Sequence, residues 1–574
     1  MAGKVFKRIL LAIILLAMFD ANGSHIIGGE ITARRIDNAS LTYEVTVTGY
    51  VEADTQIAFG SGVLDFGDGN DLAGPFVTSN EILQEGLTRS TFKVTHTFKG
   101  PSAAGYLISY SEQNARTDAL NTGSRLDFYI ESLLVIDPFI GSNNTPVFLA
   151  PPIDWGQAGV PFITNPSAYD PDGDMLTYRL VDVKRAMNTP VLGYQLPNDP
   201  TFYTEYNFGN GDGDGPPTFS INRFNGDLLW DAPGDVTNNS FNECENGATY
   251  NLAIAVDEWR LVRGTWKKLG FVTRDYLVNV CTGDNVMPII GAISDTCVIA
   301  GTSFSRQITS SFGDASSNLT AFGEPFELTN SSIQNSMESS LIIEWTPTCA
   351  EARNSPYRIH VRSLNSEISG PVLTSYASWN LYVRGPEVTG LSIQDEQDGS
   401  VVLSWDAYSC PNADSMEIWR KEGLYEGNVC DLADPASQEF VLAGKVAASQ
   451  QFFTDTDLPS GTTSSDFTWH IKATFSNDQN DLNDLISVLT SVKPKGATNV
   501  SVFPNPTKGT VFIQGDHSLR YFRIVDISGK MMMEGDLKSS TIDNLDILED
   551  GIYYMSLLDS QQKQVHGTRL LIQK

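Results

Sequence analysis

Short runs of alternating apolar and polar residues recur along almost the whole chain, and this pattern limits the possible folds more than any other feature. The run Leu41–Val47 is a clear example, and clusters of Gly, Asn, Asp and Pro separate such runs from one another. Alternation with a period of two is typical of β-strands that bury one face, whereas an amphipathic helix needs apolar residues every three or four positions. We therefore predict an all-β protein made of several β-sandwich domains in tandem.

The first 23 residues follow the pattern of a secretory signal peptide. Lys4, Lys7 and Arg8 precede an eleven-residue apolar run, 9–19, and residues 21–23 supply the small side chains of a cleavage site. The run is too short to span a bilayer, which takes about 20 residues. We predict an exported chain that is cleaved before Ser24 or His25 and has no transmembrane segment in its mature form.

The balance of charges is strongly acidic. The chain has 38 Lys and Arg residues against 69 Asp and Glu residues, and its formal net charge is −31. Such a surface repels the phosphates of nucleic acid and anionic lipid head groups, so we predict that neither is a partner. It favours cations, calcium in particular, although the same charge would also serve solubility.

The cysteines indicate an oxidising compartment. The six of them are Cys244, Cys281, Cys297, Cys349, Cys410 and Cys430. None forms a Cys-x-x-Cys pair and the chain has only six histidines, so we do not predict a zinc site. The predicted domain boundaries favour disulfides between sequence neighbours, namely Cys244–Cys281, Cys297–Cys349 and Cys410–Cys430.

The first predicted domain spans residues 24–142. Its turn Asp65–Gly69 and its strand pattern Thr95–Phe98 together resemble those of polycystic-kidney-disease-type (PKD) immunoglobulin-like domains. Its opening, His25–Glu30, resembles the mature start of large surface proteins of gliding bacteria that use type IX secretion. The carboxylates of Asp65 and Asp68 could hold a cation, but an Asp-Gly turn uses Asp for backbone reasons alone, and we favour the turn.

The second predicted domain spans residues 143–283 and contains the most informative motif. Its strand and loop patterns follow one another as Asn143–Phe148, Ala168–Tyr178, Phe219–Trp230, Tyr250–Asp257 and Arg274–Val280. This order resembles that of a cadherin-like domain over nearly its whole length. The resemblance implies a calcium site near the boundary with the first domain.

Three aspartates in this domain alternate along one loop. Asp170, Asp172 and Asp174 would repel one another at close range, and a bound hard cation with oxygen ligands would remove that cost. Three carboxylates cannot fill a calcium shell, so we expect Asp257 or Asn144 to contribute. We predict a Ca²⁺ site that orders the junction of the first two domains; the alternative is an acidic surface turn without an ion.

Two further domains precede the C-terminal one. Residues 284–385 predict another immunoglobulin-like sandwich, without an acidic loop of this kind. Residues 386–494 place Trp405 in an early strand pattern, 400–405, and this placement resembles that of a fibronectin type III domain. The cysteines at 410 and 430 depart from the usual pattern of such domains.

The last predicted domain, residues 495–574, carries several motifs in a fixed order. These are the turn Val502–Gly509, the hairpin Asp526–Lys530, the strand pattern Leu548–Tyr553 and the basic last residue Lys574. In this order they resemble the C-terminal sorting domain of the type IX secretion system. The resemblance implies a small β-sandwich, a partner in the type IX secretion machinery, and delivery of the chain to the outer cell surface or beyond.

No catalytic motif accompanies these domains. The sequence contains no Gly-x-Ser-x-Gly, His-Glu-x-x-His or Gly-x-x-x-x-Gly-Lys motif, and its histidines are scattered, so we predict no enzyme. Two classes of function remain: an adhesin whose domains are stiffened by calcium, and a glycan-binding accessory protein. The second would capture polysaccharide on exposed aromatic side chains such as Trp155, Trp259 or Trp266. The sequence identifies neither a glycan nor a protein ligand.

Overall fold

The computed structural model describes residues 26–475 and 501–572, apart from internal gaps. The gaps are 38, 53–58, 85–86, 114–115, 117–118, 123–125, 235–247, 282–286, 312–316, 329, 338, 354, 366–372, 426, 428–429, 431–433, 504–506, 515–518, 527–529, 538–540, 549–550, 559 and 561–563. The predicted signal peptide and the predicted boundary at 494/495 lie outside the described residues. The chain divides into two compact units, Met1–Asn480 and Asp481–Lys574.

The described residues form β-strands and a few short 3₁₀ helices, with no α-helix among them. The 3₁₀ helices are Pro200–Phe202, Tyr206–Phe208, Glu324–Glu327, Cys349–Glu351, Pro435–Gln438, Ser464–Asp466 and Leu545–Ile547. The prediction of an all-β protein is confirmed. Within this part of the chain, no helix has the length and apolar character needed to cross a membrane.

The strands of the first two predicted domains alternate with short loops. The first domain contains β1 Ile26–Asp37, β2 Thr42–Glu52, β3 Val63–Asp65, β4 Asp71–Ala73, β5 Ser79–Gln84, β6 Leu87–Thr97, β7 Ser102–Glu112 and β8 Phe128–Ile136. The second contains β9 Val147–Phe148, β10 Trp155–Gln157, β11 Phe162–Thr164, β12 Ala168–Tyr169, β13 Met175–Leu180, β14 Lys184–Ala186, β15 Thr189–Pro190, β16 Phe219–Ile221, β17 Leu228–Trp230, β18 Ala248–Val262 and β19 Thr265–Cys281.

One 12-stranded sheet runs through both of these domains. Its main path has the order β4-β3-β7-β8-β19-β1-β2-β6-β5, so β19 of the second domain lies between β8 and β1 of the first. Both pairings are antiparallel, with Gly270 opposite Leu134 and Gly28 opposite Tyr276. The boundary predicted at 142/143 therefore does not separate two independent sandwiches, because a strand of the second domain completes the sheet of the first.

Close packing and a buried ion pair hold this shared sheet together. A Cβ atom on Gly270 would lie 2.1 Å from a backbone oxygen of the neighbouring strand, and one on Gly29 would lie 2.5 Å from such an oxygen. Neither position therefore has room for a side chain. The buried side chain of Arg274 on β19 donates hydrogen bonds of 3.0 and 2.9 Å to the carboxylate of Glu30 on β1. Removing one partner of such a buried pair costs about 3–5 kcal/mol, because the other charge is then buried without a partner.

The third and fourth domains are sandwiches of two sheets each. The third has β20 Ile289–Ile290, β21 Thr296–Ile299, β22 Phe304–Ser311, β23 Ser317–Phe322, β24 Ser331–Met337, β25 Ser340–Trp345, β26 Tyr357–Asn365 and β27 Thr374–Arg384, in the orders β20-β22-β25-β24 and β21-β27-β26-β23. The fourth has β28 Ser392–Asp395, β29 Val401–Ser404, β30 Ala413–Glu422, β31 Val441–Ala447, β32 Phe452–Asp455 and β33 Phe467–Phe475, in the orders β28-β29-β32 and β31-β30-β33. Trp345, Trp379 and Trp405 are buried in these cores.

A polar contact with a buried carboxylate joins the second domain to the third. The hydroxyl of Tyr376 donates to the carboxylate of Asp154, with distances of 2.9 and 2.8 Å to its two oxygens. Arg362 of the third domain lies 3.8 Å from the same carboxylate and donates a hydrogen bond to the backbone oxygen of Pro151. Burial raises the pKa of Asp154, and the positive charge of Arg362 opposes that rise.

Two disulfides join the third domain to the fourth. They are Cys297–Cys430 and Cys349–Cys410, with Cα atoms 5.8 and 5.3 Å apart. The predicted pairs Cys297–Cys349 and Cys410–Cys430 are therefore wrong. That prediction assumed that each domain closes its own bridges, whereas Cys297 on β21 and Cys349 in a 3₁₀ helix of the third domain each bond to a cysteine of the fourth.

A hydrogen bond beside the second bridge also connects the third domain to the fourth. The side-chain amide of Asn412 in the fourth domain donates to the backbone oxygen of Cys349 in the third, at 2.7 Å. The remaining predicted pair concerns Cys244 and Cys281. Cys281 is disulfide-bonded, while Cys244 lies outside the described residues.

The C-terminal unit has two small sheets around one core. Its strands are β34 Ser501–Phe503, β35 Val511–Gln514, β36 Tyr521–Asp526, β37 Met531–Asp536, β38 Thr541–Ile542, β39 Gly551–Leu558 and β40 Gln564–Ile572, in the orders β34-β35-β38 and β37-β36-β39-β40. Val511, Ile524, Met555 and Leu570 are among its fully buried side chains. The expected small β-sandwich is thus present.

Candidate metal centre

The acidic loop of the second domain is built around the side chain of Asp170. The loop connects β12 to β13, and Gly173 within it takes the left-handed conformation, with a φ of +80°. One carboxylate oxygen of Asp170 accepts the backbone N–H groups of Asp172 and Asp174, at 2.8 and 3.1 Å. Its other oxygen, Oδ2, is buried and has no hydrogen-bond partner among the described residues. The turn therefore orients one carboxylate oxygen and leaves the second without a partner.

A fourth carboxylate, that of Glu258, faces this loop from β18. The Glu258 side chain is fully buried; its Oε2 accepts a hydrogen bond of 3.1 Å from the side-chain amide of Asn143, and its Oε1 has no partner in the described part of the chain. Asp170, Asp172, Asp174 and Glu258 each offer an oxygen, and these oxygens lie within 4.8 Å of one another. Four carboxylates thus converge at one point.

Burial makes this arrangement costly for the charged carboxylates. Burial raises the pKa of Asp170 well above its usual range, and the charges of Asp174 and Asp172 raise it further. Burial also raises the pKa of Glu258, as does the charge of Asp170. Carboxylates in this situation need protons or a cation to neutralise them. Hard divalent cations take carboxylate oxygens of this kind as ligands.

The structure brings together three of the five predicted ligands. Asp170, Asp172 and Asp174 belong to the cluster, and Asn144 lies at its edge. The backbone and side-chain N–H groups of Asn144 donate to Asp172 at 2.6 and 2.7 Å, while its side-chain oxygen accepts from the backbone of Arg35 in the first domain. Asn144 therefore links Asp172 to the first domain and does not direct its oxygen at the cluster.

Asp257 was the fifth predicted ligand, and the structure places it outside the cluster. Its carboxylate pairs with Arg179 at 3.0 Å and with Lys268 at 2.8 Å. Glu258, the next residue, takes its place because successive side chains of a strand point to opposite faces. Strand alternation around position 257 was visible in the sequence, but the choice of face was not.

The other candidate cation site, at Asp65 and Asp68, uses its carboxylates within the turn. Asp65 accepts the backbone N–H of Gly67 at 2.8 Å, and Asp68 accepts that of Asn70 at 3.0 Å. The remaining oxygen of Asp68 lies 3.0 Å from Nε2 of His96. These contacts agree with the favoured interpretation of this motif as a turn.

The three tryptophans proposed for a glycan platform lie apart in different settings. Trp266 is buried. Trp155 is half-buried on β10, where its backbone pairs with β19 and bridges to Leu373 of the third domain. Trp259 is half-buried, donates to Thr177 at 2.9 Å, and has the ammonium group of Lys268 5.9 Å from its ring centre. None of the three presents a fully exposed ring.

Comparison with known proteins identifies the C-terminal unit. Residues 501–573 match the family model described as the secretion system C-terminal sorting domain. The predicted resemblance is confirmed, and the chain is exported to the cell surface or the outside of the cell. The match implies an interaction with the type IX secretion machinery.

Solved structures resemble the chain only weakly. The match to the human desmocollin-1 ectodomain covers 91% of this chain and 96% of that ectodomain, with 10% identity and a TM-score of 0.16. The match to domains A168–A170 of titin covers 58% of this chain and 94% of the titin fragment, with 9% identity and a TM-score of 0.18. The match to an endo-fucoidan hydrolase of glycoside hydrolase family 107 covers 60% of this chain and 42% of the hydrolase, with 11% identity and a TM-score of 0.15. No curated protein matches. TM-scores this low support no inference about function.

Proposed function

We propose that this protein is a non-catalytic, multidomain adhesin-type protein of the cell surface or the extracellular medium. In this proposal Ca²⁺ bound by Asp170, Asp172, Asp174 and Glu258 stiffens the junction of its first two domains. Export follows from the sorting domain, and the binding role is supported by the tandem sandwiches and by the lack of a catalytic motif in the sequence. The ligand would be a surface glycan or protein.

The observation that carries the calcium site is the pair of unpartnered carboxylate oxygens. Oδ2 of Asp170 and Oε1 of Glu258 are buried without a hydrogen-bond partner among the described residues. A buried carboxylate without a partner is costly in its charged form, and coordination to a cation removes that cost. Calcium takes about six to eight oxygen ligands, so these four carboxylates would supply much of its shell, with the rest from backbone oxygens and water.

The position of the cluster explains how calcium would act on the junction. Asn143 contacts Glu258, and Asn144 contacts both Asp172 and the backbone of Arg35 on β1. A bound ion would fix Asp172 and Glu258, and with them the chain segment that links the two domains. Calcium would therefore order this segment more than the domain cores.

Calcium titration of the purified protein tests the proposal. The wild-type protein should bind with a dissociation constant of about 10⁻⁴–10⁻³ M, as extracellular modules do. At about 100 times that concentration, calcium should stabilise the protein by about 2.7 kcal/mol, which calorimetry detects as a higher melting temperature. Equal melting temperatures in EDTA and in excess calcium would refute the site.

Two adjacent residues provide a matched pair of variants. Glu258→Gln removes a buried charge from the cluster and should weaken calcium binding at least about tenfold, because each lost ligand charge weakens the site. The apo protein should keep its stability, since the substitution also relieves repulsion. Asp257→Asn removes the neighbouring charge on the opposite face and should leave calcium affinity unchanged. Equal losses in both variants would indicate a general effect of the local negative charge.

A glycan-binding role is the alternative, and nothing specific favours it. Such a role needs a contiguous exposed aromatic platform, and the described parts of Trp155, Trp259 and Trp266 do not provide one. Glycan-array and cell-adhesion screens of the same protein would identify either kind of ligand.

A further inference from the structure

A positively charged side chain, that of Arg260, lies at the acidic cluster. Its Nε donates to Oδ1 of Asp174 at 2.7 Å and its Nη2 donates to Oδ2 of the same carboxylate. The Nη2 atom is also 3.7 Å from Oδ2 of Asp172. The side chain is only 19% exposed, so this contact is shielded from solvent. Arg260 thus neutralises the outer two carboxylates and leaves the inner pair, Asp170 and Glu258, without such a contact.

The same guanidinium group also holds the segment between the first two domains. Its Nη1 donates to the backbone oxygens of Ile140 and Ser142, at 3.2 and 2.9 Å. Its Nη2 donates to the side-chain oxygen of Asn143 at 3.2 Å. Three oxygens of the linker and two of Asp174 therefore share one cation. Oxygens of these types are the ones that calcium takes as ligands.

We propose that Arg260 is a resident cation that competes with calcium for the outer half of the site and so sets the calcium concentration at which the junction orders. The inference rests on the proposed calcium site. Each oxygen of Asp174 accepts a hydrogen bond from the guanidinium group, so an ion that coordinates Asp174 meets a carboxylate whose charge is already paired with a cation. The repulsion between the guanidinium group and the ion reduces the net binding energy of calcium.

The contacts of Arg260 with the linker keep its charge beside the cluster. The hydrogen bonds to Ile140, Ser142 and Asn143 hold the guanidinium group in place whether or not an ion is bound. Arg260 touches the proposed ligand Asp174 and is not itself a ligand, which makes it a positioning residue that tunes the affinity of the site.

The test compares calcium affinity between variants of the purified protein, measured by titration calorimetry with CaCl₂. Arg260→Gln removes the competing charge and should tighten calcium binding at least about tenfold, with a larger gain at low ionic strength. Arg260→Lys keeps the positive charge but lacks the planar guanidinium group, so it should increase calcium affinity less than Arg260→Gln does. Arg263→Asn is the matched control: Arg263 is exposed on the same hairpin, and its left-handed φ of 52° tolerates Asn.

The outcomes separate this inference from the proposed function. Tighter binding by Arg260→Gln, with the Arg263→Asn control equal to wild type, supports competition. If wild type binds calcium and Arg260→Gln binds equally or more weakly, Arg260 is a structural support and the inference fails while the site stands. If no variant binds calcium, the proposed site fails and the inference fails with it. If the Gln variant does not fold, the calcium affinity of Arg260→Lys decides the matter: tighter binding than wild type supports the inference, and equal or weaker binding overturns it.

Discussion

At the scale of single residues, the buried histidine on β26 makes the stability of the protein depend on pH. His360 is 4% exposed, and burial lowers its pKa to about 3, with a further contribution from the charge of Arg358. A histidine in an unfolded chain has a pKa of about 6.5. The folded state therefore binds fewer protons than the unfolded state between these two values. The stability contributed by the neutral ring is complete above pH 6.5 and is lost as the pH falls toward 3.

We predict the size of this effect from a comparison with His360→Gln, which cannot titrate. The difference in the free energy of unfolding, wild type minus variant, should fall by about 1.4 kcal/mol for each pH unit below about 6. Urea denaturation of both proteins at several values between about pH 7.5 and 4.5 measures it, and the protonation of carboxylates cancels in the difference. A difference that stays constant over this range would contradict the prediction.

The metal cluster shows which residue-scale features a sequence reveals. The alternating aspartates Asp170, Asp172 and Asp174 are adjacent in one loop, so local geometry suffices to bring them together. Glu258 comes from a strand 84 positions beyond Asp174, and its membership depends on which face of β18 is turned toward the loop. A shift of one residue along a strand reverses the face, and β18 has a register irregularity directly after Glu258. The sequence therefore pointed to Asp257.

At the scale of elements, local pattern predicted strands well and their partners poorly. The alternation at Leu41–Val47 corresponds to β2, which starts at Thr42 and ends at Glu52. The position of β19 between β8 and β1 depends on contacts between residues about 130 to 250 positions apart along the chain. Nothing in the alternation of a strand specifies such a distant neighbour. The domains were consequently predicted as separate sandwiches where the sheet is shared.

The disulfides illustrate the same limit and carry a prediction of their own. Cys349 and Cys410 close a loop of 61 positions that spans the junction of the third and fourth domains. Replacing both by Ala should destabilise this domain pair by about 2–5 kcal/mol, because the unfolded chain regains conformational freedom. Denaturation of the variant and of wild type without reductant measures the loss.

Peptide mapping without reductant checks the connectivity independently. Peptides that contain Cys297 and Cys430 should be linked, as should those that contain Cys349 and Cys410. Recovery of a Cys297–Cys349 peptide would restore the nearest-neighbour scheme and refute the junction bridges. If the wild-type protein has both predicted bridges and the variant with Ala at positions 349 and 410 is as stable as wild type, other contacts already hold the two domains together.

At the scale of the whole molecule, each neighbouring pair of domains in the first unit is connected by a different type of interaction. The first two share a sheet and the Arg274–Glu30 pair; Tyr376 and Asp154 connect the second to the third; two disulfides connect the third to the fourth. Independent motion of these domains is therefore restricted. Calcium at the first junction would add to fastenings that exist without it.

The sorting domain stands in contrast to this unit, because it has its own core and its own sheets. Deleting residues 495–574 should therefore leave the first unit folded but remove the signal that the secretion system recognises. We expect the truncated protein to remain in the periplasm while the full chain reaches the surface or the medium. Cell fractionation and protease treatment of intact cells distinguish the two locations.

As a control, residues 495–574 fused to an unrelated exported protein should carry it across the outer membrane. Surface display of the truncated protein at the wild-type level would show that export depends on a part of the chain other than this domain.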